Sequence, residues 1–190
     1  MDQELGIINP KESKIENVAV LERTIHFDES GFLVETMRKD DREVDGQNFA
    51  MSYTSETPAG VARDEDQWHH HKYQTDRFIC VKGRIALALF DNRKDSQTFG
   101  KLEVLDLEGA LGEDVEDVKK SGQKKDKVTY IVTVPEGVYH CYKNISEENC
   151  LLNNYPTQLY NPDDEGRTQF GEILVDSLGK KPFSWNLLED

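Results

Sequence analysis

Basic residues are scarce in this 190-residue chain. It has 23 Lys and Arg against 37 Asp and Glu, which gives a formal net charge of -14. Such a chain repels the phosphates of nucleic acids and of anionic membranes, so we expect neither as a partner. An anionic small molecule would need a local basic pocket.

Cysteines and long apolar runs are also scarce. Cys80, Cys141 and Cys150 are odd in number and lack C-x-x-C spacing, which argues against a disulfide framework or a cysteine zinc site. No apolar run approaches the length that spans a bilayer, and the polar start "MDQELGIINPKESK" lacks the order of a signal peptide. These absences predict a cytoplasmic protein.

Short stretches of strand character fill most of the chain. "VAVLERTIHF", the turn "DESG" and "FLVETMR" predict a hairpin, and "DRFICVKG" with "RIALALFD" predicts two more strands. Many short strands with turn signals favour an all-β sandwich or barrel. Residues 108–127 are dense in charge, which predicts a solvated loop. Residues 171–190 predict a short helical or extended arm that docks through Phe183 and Trp185, either on its own domain or on a neighbouring subunit.

Three consecutive histidines precede a strongly apolar strand. On a strand, alternate side chains share a face, so His69 and His71 point one way and His70 the other. Asp76 begins the next strand, where a hairpin would bring it back beside the histidines. His140 follows the Pro-Gly turn of "VPEGVYHCYKN". Three imidazoles and a carboxylate are ligands that suit Zn, Fe, Mn, Ni or Co.

The two segments form the patterns H-x-H-x4-D-x6-G and P-x-G-x2-H-x3-N, which resemble the paired motifs of the cupin superfamily. The resemblance implies a double-stranded β-helix, or jelly-roll barrel, as a single domain over residues 1–190 with its core at about 18–170. It also implies one divalent ion bound by His69, His71, Asp76 and His140, with Asp76 where the superfamily usually has Glu. Relatives of this architecture are usually dimers, so a homodimer is expected.

Further segments narrow the resemblance. "FDNRKDSQTFGK", "IVTVPEGVYHCYKNISE" and "YNPDDEGR" are similar to dTDP-4-dehydrorhamnose 3,5-epimerase and its relatives. "HHHKYQTDRFICVKG" also resembles the metal-binding cupin domain of capsular polysaccharide nucleotide-sugar epimerases. In the first family a histidine base follows an arginine by three residues, where this chain has Asp66 after Arg63. That family's tyrosine acid is matched by Asn154, with Tyr155 one step off.

These resemblances imply a metal-dependent epimerase or isomerase that moves a proton beside the ketone of a free or nucleotide-linked sugar. A divalent ion would stabilise the enolate, and a side chain would act as the general base. Asp66 is the first choice of base, ahead of Tyr139 and Tyr155. The candidates for substrate binding are three cations that suit a diphosphate and one aromatic ring that suits a base or sugar face, namely Arg63, Lys72, Arg77 and Trp68.

Two other functions stay open on the sequence. An iron-dependent dioxygenase would use the same ligands with dioxygen. A non-catalytic sugar-binding cupin would be consistent with the missing acid–base pair. Metal analysis and hydrogen exchange with solvent beside a ketone separate the three functions.

Overall fold

The computed structural model describes residues 5–188, which form thirteen strands in two facing sheets and one α-helix, α1 (Gly112–Ser121). The predicted all-β jelly-roll fold is confirmed. The strands are β1 (Ile7–Ile8), β2 (Val20–Asp28), β3 (Gly31–Val34), β4 (Tyr53–Thr57), β5 (Ala62–Arg63), β6 (Gln67–His71), β7 (Asp76–Lys82), β8 (Arg84–Asp91), β9 (Leu102–Glu108), β10 (Lys125–Val134), β11 (Val138–Asn144), β12 (Cys150–Asn154) and β13 (Glu165–Gln169).

The chain passes several times between the two sheets. The first sheet has the order β1-β9-β8-β11-β6-β13, with β5 also paired to β11. The second sheet has the order β3-β2-β10-β7-β12-β4. The β2–β3 pair is the predicted hairpin. Within residues 5–188, no helix is long and apolar enough to span a bilayer. The predicted homodimer stays a prediction.

The main core lies between the sheets and follows from the two-residue period of the strands. Ile85, Leu87 and Leu89 of β8 are fully buried and pack in one cluster with Leu152 and Phe78 of the second sheet. Each such side chain contributes about 1.5–3 kcal/mol by leaving water. Burial of these apolar side chains therefore determines which face of each strand turns inward. The polar residues on the same face turn inward with them.

A second apolar layer covers the outer face of the first sheet. Trp68 is fully buried there, with its ring centroid 5.0 Å from Phe170 and 5.1 Å from Phe183. Trp185 packs against Phe183 at 5.0 Å. The C-terminal arm packs on its own domain through Phe183 and Trp185, the first of the two partners considered from the sequence. It includes short 3-10 turns at Asp176–Leu178 and Trp185–Leu188, and residues 189–190 lie outside the described part.

The charged segment 108–127 is not the predicted solvated loop, because it holds α1 and the start of β10. The Asp114 carboxylate accepts from the backbone N–H of Leu111 at the start of the helix, and Lys125 and Lys127 donate to the same group. Val118 is buried against Phe27, and Gly122 ends the helix in the left-handed conformation. One narrow apolar stripe was enough to dock a helix whose composition is otherwise charged.

Arg77 is a structural residue in this fold rather than the predicted ligand for a diphosphate. It follows Asp76 on β7 and so points to the outer face of the second sheet, where it is fully buried. Its guanidinium donates to the carbonyl oxygens of Tyr155 at 2.7 Å, Asp45 at 2.6 Å and Asn48 at 2.6 Å. These bonds hold the loop before β4 against the sheet.

We expect Arg77→Lys to destabilise the fold by about 2 kcal/mol or more, since an ammonium group cannot reproduce the planar fork and leaves buried carbonyl groups unpaired. Unfolding in denaturant measures this loss. Arg63→Lys is the matched control, because Arg63 is exposed. Equal unfolding midpoints for the two variants would show that the guanidinium contacts are not needed.

Candidate functional site

A cavity of about 350 Å³ lies between the two sheets, within the size range of small-molecule sites. Strands of both sheets line it, so a molecule inside would contact the first sheet on one side and the second on the other. The lining residues that carry polar or charged groups are Tyr53, Ser55, Arg63, Asp64, His69, Asp76, His140, Tyr142 and Arg167.

The two-residue period of β6 and β11 brings the inward histidines together. His69 pairs with His140 across β6 and β11, and their rings stack with centroids 5.1 Å apart. His71 lies 4.7 Å from His69 by the same measure. His70 points outward, as the spacing predicts, and stacks on Tyr139 at 4.1 Å. Segments distant in sequence therefore meet at one place.

Asp76 reaches this histidine cluster from the second sheet. Its side chain is buried, and its Oδ1 accepts from Gln74 at 2.8 Å and from Asn154 at 2.7 Å. Its Oδ2 lies 3.4 Å from Nε2 of His71 and 3.5 Å from Nε2 of His140. The carboxylate thus links both sheets at the floor of the cavity.

As they lie, the four predicted ligands do not form a metal site. Among residues 5–188, no group of three or more His, Cys, Asp or Glu side chains is arranged to hold a metal ion. Both ring nitrogens of His71 are engaged, with Nε2 at 3.0 Å from the Gln74 amide and Nδ1 at 3.1 Å from Asp164. The bound ion therefore stays a prediction from sequence.

His69 lies between two carboxylates instead. Its Nδ1 is 4.0 Å from Asp64 and its Nε2 is 4.0 Å from Glu165. Arg167, which pairs with His69 across β6 and β13, forms ion pairs with both carboxylates. Burial, with a smaller effect of His140, lowers the pKa of His69 well below its ordinary value. The imidazole is neutral at pH 7, and the carboxylates would stabilise the cation that forms when it accepts a proton.

Tyr53 stands on the opposite wall. It pairs with Asn154 across β4 and β12, and its hydroxyl accepts from the Asn154 amide at 2.9 Å. The residue as a whole is 45% exposed, but its hydroxyl contacts a fully buried amide, and burial of this end raises the pKa of Tyr53 to about 12. The hydroxyl therefore keeps its proton at neutral pH.

Comparison with known proteins identifies the family. The family model described as dTDP-4-dehydrorhamnose 3,5-epimerase matches residues 12–115. "Probable low-salt glycan biosynthesis epimerase Agl13" from Haloferax volcanii is 36% identical over 157 residues, which cover 80% of this chain and 86% of the relative. The chain belongs to the dTDP-4-dehydrorhamnose 3,5-epimerase family. The resemblance to dTDP-4-dehydrorhamnose 3,5-epimerase and the prediction of a sugar epimerase are thereby confirmed.

Two further proteins are similar to this chain at lower identity. "Spore coat polysaccharide biosynthesis protein SpsL" from Bacillus subtilis is 28% identical over 174 residues, which cover 90% of this chain and 97% of the relative. The crystal structure of a "dTDP Sugar Isomerase" from Desulfovibrio desulfuricans G20 superposes with a TM-score of 0.69 at 19% identity, with 95% of this chain and 96% of that chain covered. At this identity the match shows a shared fold.

The candidate bases named from the sequence do not reach the cavity. Asp66 is exposed, and Tyr139 stacks on the outward His70. Tyr155 lies on the outer face of the second sheet, where its hydroxyl contacts Thr36. The resemblance places a histidine base three residues after the arginine, where this chain has Asp66. The inward histidine comes six residues after Arg63, as His69.

Of the four residues predicted to bind the substrate, Arg63 lines the cavity and the other three do not. Arg63 is exposed and lines the cavity. Trp68 is buried under the C-terminal arm and cannot stack on a ligand, and Arg77 is held in the outer layer described above. Lys72 lies on the surface, where its ammonium donates to the Asp163 carbonyl at 3.1 Å.

Sequence reasoning missed Tyr53, Asp64 and Arg167 as cavity residues. Alternation in "YTSET" was a signal for Tyr53, since it puts Tyr53, Ser55 and Thr57 on one face. No comparable signal marks Asp64, which turns the chain in the left-handed conformation at φ 60°. Arg167 becomes a cavity residue only through the pairing of β13 with β6.

Proposed function

We propose that this protein epimerises a nucleotide-linked keto-sugar by removing a proton from a carbon beside the ketone and returning one to the opposite face. The observation that carries the proposal is the neutral, inward His69 between Asp64 and Glu165 in a cavity of ligand size. Membership of the epimerase family and the names of the relatives, which refer to glycan epimerisation and dTDP sugars, support the same chemistry.

In this proposal His69 is the general base. The C–H bond beside the ketone breaks, its proton forms an N–H bond on the imidazole, and the electron pair becomes an enolate. The flanking carboxylates of Asp64 and Glu165 stabilise the resulting imidazolium, and Arg167 holds both of them in place. A positioned base of this kind contributes about 10²–10⁴-fold to a rate.

Arg63 supplies the cation for the nucleotide diphosphate. It is exposed on β5 and lines the cavity, so its guanidinium can meet a diphosphate while the sugar lies deeper. The Arg167 guanidinium is committed to two carboxylates instead. In a chain with a net charge of -14, a local guanidinium is what an anionic substrate requires.

We expect His69→Asn to lower the rate of epimer formation by 100-fold or more, since the proton acceptor is lost while the side chain keeps its polarity. Asp66→Asn is the matched control and should stay within twofold of the unmodified protein, because Asp66 is exposed outside the cavity. The assay follows product formation and solvent deuterium uptake over a panel of dTDP- and UDP-linked 4-keto-sugars. A large loss in Asp66→Asn with little loss in His69→Asn would reverse the assignment of the base.

The proposed reaction uses no metal step, so treatment with a strong chelator should leave the rate within twofold. Elemental analysis of the purified protein tests the separate prediction of an ion at His69, His71, Asp76 and His140. Loss of activity on chelation, with recovery on adding Zn, Fe, Mn or Ni, would show that the metal-dependent form of the reaction is the correct one.

A further inference from the structure

Epimerisation through an enolate needs two groups, because the proton must leave one face of the sugar ring and return to the other. His69 provides the base on the first sheet. At the position that matches the family's tyrosine acid, this chain has Asn154. A neutral amide does not release a proton near neutral pH, so the acid has to come from another residue.

We propose that Tyr53 is this acid, an inference that rests on the function proposed above. The phenol O–H bond of Tyr53 breaks, and its proton forms the new C–H bond on the face of the enolate opposite His69. The phenolate then takes a proton from water, and the imidazolium of His69 releases one to water. The protein is restored, and the sugar has exchanged one hydrogen with solvent.

The topology places the two groups on opposite sides of the substrate. His69 is on β6 of the first sheet, and Tyr53 is on β4, the edge strand of the second sheet. Both line the cavity between the sheets. Asn154 lies directly across from Tyr53 on the neighbouring strand, and its amide donates to the phenol, which holds the hydroxyl at the cavity wall.

The hydrogen bonds fix the direction of the Tyr53 proton. The backbone N–H of Arg77 donates to Oδ1 of Asn154 at 2.9 Å, which sets the orientation of that amide. Its Nδ2 therefore donates to Asp76 at 2.7 Å and to the Tyr53 hydroxyl at 2.9 Å. Since the hydroxyl oxygen accepts from Asn154, its own proton is left to point at a ligand.

The other tyrosine hydroxyl in the cavity is arranged differently. Tyr142 lies 2.9 Å from the Thr57 hydroxyl and 3.1 Å from the Ser55 hydroxyl, which engage it as part of the wall. Burial of the Tyr53 hydroxyl and the nearby Asp76 carboxylate disfavour the phenolate. Tyr53 thus holds its proton until a stronger base, the enolate carbon, is presented.

The test separates proton removal from proton return. In D₂O, Tyr53→Phe should keep deuterium exchange into recovered substrate, because His69 still removes a proton and returns one to the same face. Formation of the inverted product should fall by 100-fold or more. His69→Asn should lose both reactions, and Tyr139→Phe, altered on the outer face, should lose neither.

Two results would overturn the assignment. One is inverted product from Tyr53→Phe at a rate within a few-fold of the unmodified protein. The other is an equal loss of exchange and inversion in a Tyr53→Phe variant whose Tm is unchanged, which would indicate a role in binding. If the unmodified protein neither exchanges nor inverts any keto-sugar of the panel, it is the proposed function itself that fails.

Discussion

The carboxylate of Asp76 is the constraint around which the interior is arranged. It is 2% exposed between two apolar sheets, where an unpaired charge would be costly. Amides of Gln74 and Asn154 donate to one oxygen, and the rings of His71 and His140 face the other. Satisfying this group orients Asn154, and Asn154 in turn orients Tyr53.

The two-residue period of the strands decides which side chains line the cavity. On β6 it turns His69 and His71 inward and buries Trp68 beneath the C-terminal arm. On β7 it turns Asp76 inward and commits Arg77 to holding the loop before β4. Inward residues line the cavity, whereas outward residues at adjacent positions stabilise the walls that carry them.

Much of this could be predicted from the sequence. Strand patterns and the paired histidine motifs predicted the fold and brought His69, His71, Asp76 and His140 to one place. Trp68 and Arg77 were predicted to bind a ligand, but each is adjacent on its strand to an inward residue and therefore faces outward. The two-residue period of the strands, applied to every position, excludes Trp68 and Arg77 from the cavity.

Other features depend on contacts that no local pattern encodes. The left-handed conformation of Asp64 is one example, and with it the inward histidine comes six residues after Arg63, as His69, and not at the position of Asp66. The helix α1 is stabilised by Asp114 with two lysines of the following strand, a long-range match within a charged segment. Arg167 reaches His69 only because β13 pairs with β6.

The central claim is that chemistry takes place between the sheets, with a group of each sheet on either face of a sugar ring. A crystal structure with a bound nucleotide-linked keto-sugar tests it most directly. The sugar should lie between the His69 ring and the Tyr53 hydroxyl, with its diphosphate near Arg63. A sugar bound on an outer face, or one whose reacting carbon lies far from both side chains, would contradict the claim.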